Sequence, residues 1–162
     1  MDDASGTLAA LNEAIHDAAK VKSRDDMNVG DIVYQTMDRN DGLTLNKGYD
    51  TRNKLFVIVG KKSNGEAVGT CLINSTFKGD AERQKFQYTI RKDKYPDVAV
   101  LTSDSPLDCS KLFRMNVRKS VAVKAEIVGH LTDEDKENII QLVTSCGFVN
   151  NHDKKVFRIG ID

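Results

Sequence analysis

Leu8, Leu11, Ile15, Ala18 and Ala19 recur at the three- and four-residue spacing of one helix face, which predicts a helix over residues 7–22 with Thr7 as its cap. Ser23 to Asn28 is a polar linker. From Gly30 onward the period shortens. Ile32–Met37 reads as a first strand, Lys54–Gly60 as a second and Glu66–Asn74 as a third. The second is nearly continuous in apolar residues, so it demands cover on both faces and a central place in a sheet. Ser63-Asn64-Gly65 supplies a tight turn from the second strand to the third. Lys85–Arg91 alternates Phe86, Tyr88 and Ile90 with polar neighbours, as a half-buried strand does. Val98–Leu101, Ser110–Val117 and Val121–Val128 are further strand-like runs, and Lys154–Ile161 reads as a final edge strand.

A second helix starts at Thr132. Thr132 is a good cap, Asp133, Glu134 and Asp135 suit the positive end of the helix dipole, and Gly147 is placed to end it. Ile139, Ile140, Val143 and Cys146 form its apolar face. Six or seven short strands with a helix at either end predict a mainly β fold with helices (β+α): a small antiparallel barrel with an N-terminal and a C-terminal helix. Residues 1–28 form a helical extension and linker, and residues 29–162 form the barrel.

The chemistry concentrates between the first and second strands. A long polar loop there carries Asn46, Lys47, Tyr49, Asp50, Thr51, Arg52, Asn53 and Lys54. Loops of that length inside a small domain are uncommon and often functional, although ordinary turns account for Asp41-Gly42 and Lys47-Gly48. Cations at a strand mouth suit phosphate recognition. The third strand ends in Asn74-Ser75-Thr76, followed by Lys78. If the second and third strands pair as a hairpin, this small polar cluster returns to the end where Arg52 enters. A cation meeting hydroxyl and amide groups suits a bound phosphate and equally a pentavalent one.

Composition narrows the partners little. Lys plus Arg equals Asp plus Glu at 24 each, so no global charge forces a polyanionic or membrane partner, and no apolar run is long enough to span a bilayer. The N-terminus lacks the pattern of a secretory signal. Cys71, Cys109 and Cys146 are odd in number and widely spaced, which points to reduced thiols in a cytoplasmic protein. Cys71 reads as a core residue and Cys109 as the more exposed of the two. His16, His130 and His152 show no metal-ligand spacing. Gly60-Lys61-Lys62-Ser63 lacks the glycine-rich loop and following helix of a nucleotide-phosphate motif and is better explained as a hairpin turn.

The order Gly30-Asp31-Ile32-Val33, polar loop, arginine, apolar strand, glycine-containing turn and strand ending in small polar residues resembles the MazF/PemK toxin family. Gly129-His130-Leu131-Thr132-Asp133-Glu134 before an amphipathic helix is similar to that family's closing segment, so the likeness spans roughly residues 29–147. The resemblance implies an SH3-like barrel, a homodimer, a cognate antitoxin protein as partner, and metal-independent cleavage of single-stranded RNA without a cofactor. The 2′-hydroxyl would attack the adjacent phosphorus. Arg52 would match the family's catalytic arginine, and Ser75 its hydroxyl, with Asn74 or Thr76 as alternates. Asn46, Lys47, Lys54, Asn74, Thr76 and Lys78 would contact RNA. Where the family has Arg-Pro before the apolar strand, this chain has Arg52-Asn53-Lys54-Leu55, so Lys54 matches the arginine position as well as Arg52 does by distance to the strand.

Overall fold

The computed structural model describes residues 4–45, 48–77 and 79–161. Its strands are β1 (Asp31–Asp38), β2 (Thr51–Lys61), β3 (Ala67–Ile73), β4 (Gln87–Ile90), β5 (Ser105–Asp108), β6 (Phe113–Asn116) and β7 (Glu126–His130). Its helices are α1 (Ala4–Ala19), α2 (Ala81–Gln84), α3 (Val117–Ala122), α4 (Asp133–Ser145) and α5 (Asn151–Val156). The strands form one antiparallel sheet in the order β4-β5-β3-β2-β1-β7, with β6 also paired to β3. The sheet curls into a half-barrel flanked by helices, as the strand count and terminal helices predicted.

The apolar run of β2 is explained by its position. Val57 and Val59 enter one core with Ile139 and Val143 of α4, Cys146 at its end, and Phe157 and Ile159. Phe56 and Ile58 enter a second core with Val33 and Met37 of β1, Phe113 and Met115 of β6, and Val21 and Met27. Successive side chains on a strand point to opposite faces, so a strand covered twice has no room for polar alternation. The β2–β3 hairpin forms at the expected turn, with Gly65 at φ +74 and its N–H donating to the Lys62 carbonyl at 2.8 Å.

Local caps and turns overturned three strand expectations. Asn116 accepts from the Arg118 N–H at 2.8 Å, so residues 117–122 wind into α3, and only residues 126–128 of the run Val121–Val128 are strand, the start of β7. Asn150 accepts from the Asp153 N–H at 2.7 Å and starts α5 where an edge strand was expected over Lys154–Ile161. Val98–Leu101 is a pair of turns, closed by Val98 N–H to Tyr95 and Leu101 N–H to Val98 carbonyls, with Val98 and Leu101 buried as plugs. A short apolar run does not distinguish these outcomes, because burial alone satisfies it.

Helix α1 starts at Ala4, so Thr7 lies inside it and is not its cap. Its predicted apolar stripe faces outward, with Leu8, Leu11 and Ile15 at 60%, 55% and 56% exposure. The helix is held at its C-terminal end, where His16 Nδ1 lies 2.8 Å from Glu126 Oε1 and the Val21 N–H donates to the Ala125 carbonyl at 2.8 Å.

Helix α4 begins where predicted, with Thr132 Oγ1 accepting from the Asp135 N–H at 3.2 Å. Asp135 is buried and accepts from the hydroxyls of Tyr88 and Tyr95, with Lys94 Nζ at 3.5 Å. Burial pushes its carboxyl up, but the tyrosine hydrogen bonds and the Lys94 charge outweigh that and hold it below its ordinary value. A depressed carboxylate stabilises the fold fully above the unfolded value, and that stability is lost as pH falls through the folded one. Asp135→Ala strands the buried Tyr95 hydroxyl and is expected to cost about 3 kcal/mol at neutral pH. Denaturant unfolding of both proteins should show this gap narrowing below about pH 4. A gap that stays constant from pH 7 to pH 3 would refute the assignment.

Candidate functional site

The antiparallel pairing of β2 with β3 aligns Leu55 with Ile73, which brings the mouth of β2 and the end of β3 together. Arg52 and Lys54, two residues apart on one strand, share a face. Lys54 is 9% exposed, and its Nζ donates to Asn74 Oδ1 at 3.3 Å. Asn74 is itself 8% exposed and tied to the neighbouring strand by its N–H, which donates to the Pro106 carbonyl at 2.8 Å. On the other side, β1 positions Tyr34 opposite Leu55, and Thr36 Oγ1 donates to Asn53 Oδ1 at 2.6 Å.

Tyr34, Arg52, Asn53, Lys54 and Asn74 line a solvent-open groove of about 560 Å³. Arg52, Lys54, Asn74 and Ser75, all singled out from sequence, meet there. Thr76 is exposed and does not line it. Asn46, Lys47 and Lys78 lie outside the described residues. The far wall, Ala99–Ser103 with Ser105, was not foreseen as part of a site. It is positioned by Lys92, whose Nζ donates to the Leu101 carbonyl at 2.9 Å and whose N–H donates to Asp104 Oδ1 at 2.8 Å. Those contacts span the turn and have no local sequence signature.

The groove's chemistry is cationic and neutral-polar. Two cations, two amides and several hydroxyls can bind a phosphate and stabilise added negative charge on it. Among the described residues that line it, none is a carboxylate, imidazole or thiol. The cysteines lie elsewhere: Cys71, Cys109 and Cys146 are all fully buried, which corrects the expectation that Cys109 is the more exposed. A hydrogen bond with Cys109 and burial push the Cys71 thiol well above its ordinary value, the opposite of an activated nucleophile. His130 Nδ1 lies 2.7 Å from Asp31 Oδ1, beside β1. Among the described residues, no three His, Cys, Asp or Glu side chains gather as a metal-ligand group. No helix of the described residues is long and apolar enough to cross a membrane.

No protein-family model matches the chain, and neither does any curated protein. Among solved structures, it is similar to a chain in the crystal structure of MazE-MazF (Form-II) from Deinococcus radiodurans. The identity is 12%, over 73% of this chain and 91% of that one, with a TM-score of 0.46. A likeness that distant carries no argument about residues, and the groove stands on its own geometry.

Proposed function

We propose that the groove holds a phosphate of single-stranded RNA and that the chain is a toxin-like, metal-independent endoribonuclease. The observation that carries this reading is the convergence of Arg52, Lys54, Asn74 and Ser75 on one open groove. In the proposed reaction the 2′-hydroxyl oxygen bonds to the adjacent phosphorus and releases its proton to water. The bond from phosphorus to the 5′-oxygen breaks, and that oxygen takes up a proton. The products are a cyclic phosphate and a 5′-hydroxyl end. Arg52 and Lys54 neutralise the charge that builds on the pentavalent phosphate, and Ser75 donates a hydrogen bond to it. Arginine stays protonated at neutral pH, so its role here is stabilisation, not proton abstraction. On this reading the protein works in the cytoplasm as a homodimer, and an antitoxin protein covers the groove. Residues 1–28 are an appendage to a barrel of residues 29–162.

A second reading, a non-catalytic RNA-binding module, is favoured by one observation. Among the described residues that line the groove, none is a carboxylate or an imidazole, the side chains that most often act as general bases.

Incubation of the purified chain with a labelled single-stranded RNA in EDTA tests the first reading, with an all-2′-deoxy strand as control. Cleavage of RNA alone, leaving cyclic phosphate ends, is the expected result. Salt-dependent binding without cleavage selects the second reading, and absence of both binding and cleavage removes the groove from consideration under either.

A further inference from the structure

Far from the groove, a second set of cations lies along one side of the half-barrel. Two solvent-open clefts, of about 430 Å³ and 490 Å³, share Arg24 and so run together. The first includes Arg118, and the second includes Lys61, Lys62 and Arg158. Two acids, Asp25 and Glu66, stand against these five cations. Among the described residues, no carboxylate oxygen comes within 4.0 Å of any of the five. In a chain of zero formal net charge, that is a local excess that the rest of the surface must balance elsewhere.

Two of the five cations are also held in place, by groups that leave their charge uncancelled. Arg24 Nη1 donates to the Asn64 carbonyl at 3.0 Å, and its stem packs against Gly65 at the hairpin turn. Lys61 Nζ donates to the Arg24 carbonyl and, at 3.2 Å, to Asn28 Oδ1. Every acceptor in these bonds is neutral, so Arg24 and Lys61 are positioned without being paired. Fixed, unpaired cations lower the ordering cost of binding an anion. Ser23, Ser63, Asn64 and Asn116 sit between them as neutral hydrogen-bonding groups.

We propose that this lane is a binding surface for the sugar–phosphate backbone of nucleic acid, separate from the groove at the other end of β2. Arg52 and Lys61 are nine residues apart on that strand, which is about 30 Å. A polymer with a charge on every unit matches a chain of unpaired cations, and phosphate oxygens accept from the neutral donors between them. The lane reads charge and not base identity, because all the contacts it offers are of the kind made to backbone. The proposal does not rest on the function assigned to the groove.

The test is fluorescence anisotropy of the full chain with a labelled single-stranded RNA of about twenty nucleotides, over a range of salt concentrations. The lane variant is Lys62→Ser, Arg118→Gln, Arg158→Asn; asparagine suits position 158, where φ is 54°. With three backbone contacts gone, affinity should fall at least about tenfold, and the salt slope should shrink by about two. The charge-retaining variant Lys62→Arg, Arg118→Lys, Arg158→Lys should keep affinity within about threefold, which a merely structural defect would not allow. The loss should also persist when Arg52 and Lys54 are replaced in both proteins, and this separates the lane from the groove. Unchanged affinity and slope in the lane variant would overturn the proposal. So would displacement of the RNA by polyglutamate at equal charge concentration, which would point to an acidic polypeptide.

Discussion

An Arg52→Ala, Lys54→Met variant should cleave single-stranded RNA at least about 100-fold more slowly than the wild-type chain, with its unfolding midpoint little changed. The reason is the composition of the groove. With no carboxylate, imidazole or thiol among its described lining residues, electrostatic stabilisation is the main device it offers for lowering the barrier. Removing both cations removes that device. The single variants separate two roles. Lys54 is nearly buried and pinned to Asn74, so its ammonium is positioned before substrate arrives. Arg52 is exposed and must be ordered by the substrate. Lys54→Met should therefore lower kcat more than it raises KM, and Arg52→Ala should affect KM at least as strongly. The measurement is steady-state cleavage of a short fluorogenic RNA in EDTA. A double variant that retains wild-type kcat/KM would sink the catalytic assignment of the groove.

Gly60→Ala should destabilise the fold by about 3–5 kcal/mol, a large fraction of the about 5–15 kcal/mol that keeps an ordinary domain folded. A Cβ at this position would lie 2.5 Å from the Phe157 carbonyl oxygen, 2.7 Å from Ile159 Cγ1 and 2.8 Å from Phe157 Cβ. Two of these atoms belong to fixed parts of the chain and cannot swing aside. Relief of the clash pushes the C-terminal segment outward. That breaks the hydrogen bond from the Lys61 N–H to the Phe157 carbonyl and lifts Phe157 and Ile159 from the core. The same substitution at Gly6 is the control. Nothing lies within 4 Å of its added methyl, and alanine favours a helix over glycine by about 1 kcal/mol. Thermal unfolding of the two variants should therefore move in opposite directions. Equal and small shifts would show that the tail is not packed on Gly60.

These outcomes separate what was legible along the chain from what was not. Strand β2 was legible because a doubly covered strand must be apolar at every position, and the run Leu55–Val59 is. Helix α4 was legible because Thr132 and the three acids after it satisfy a helix start within one turn. Helix α5 and the wound segment 117–122 were not legible as helices, although Asn116 and Asn150 stand at their caps, because their short apolar runs suit a strand equally well. On the site, the pairing of Arg52 and Lys54 with Asn74 and Ser75 followed from the hairpin alone. Tyr34 and the 99–105 wall did not, since they reach the groove through contacts far apart in sequence.

By itself, the sequence determined the central hairpin and the residues at its open end, because turn chemistry and the two-residue period of a strand are local properties. Only the tertiary structure decided that the turn after Tyr95 closes the groove and that Gly60 lies under the C-terminal tail. It also decided that Arg24, Lys61, Lys62, Arg118 and Arg158 form one lane. Such contacts join segments far apart in the sequence, as Gly60 meets Phe157, and nothing in the neighbouring sequence of either partner encodes which other segment will arrive beside it.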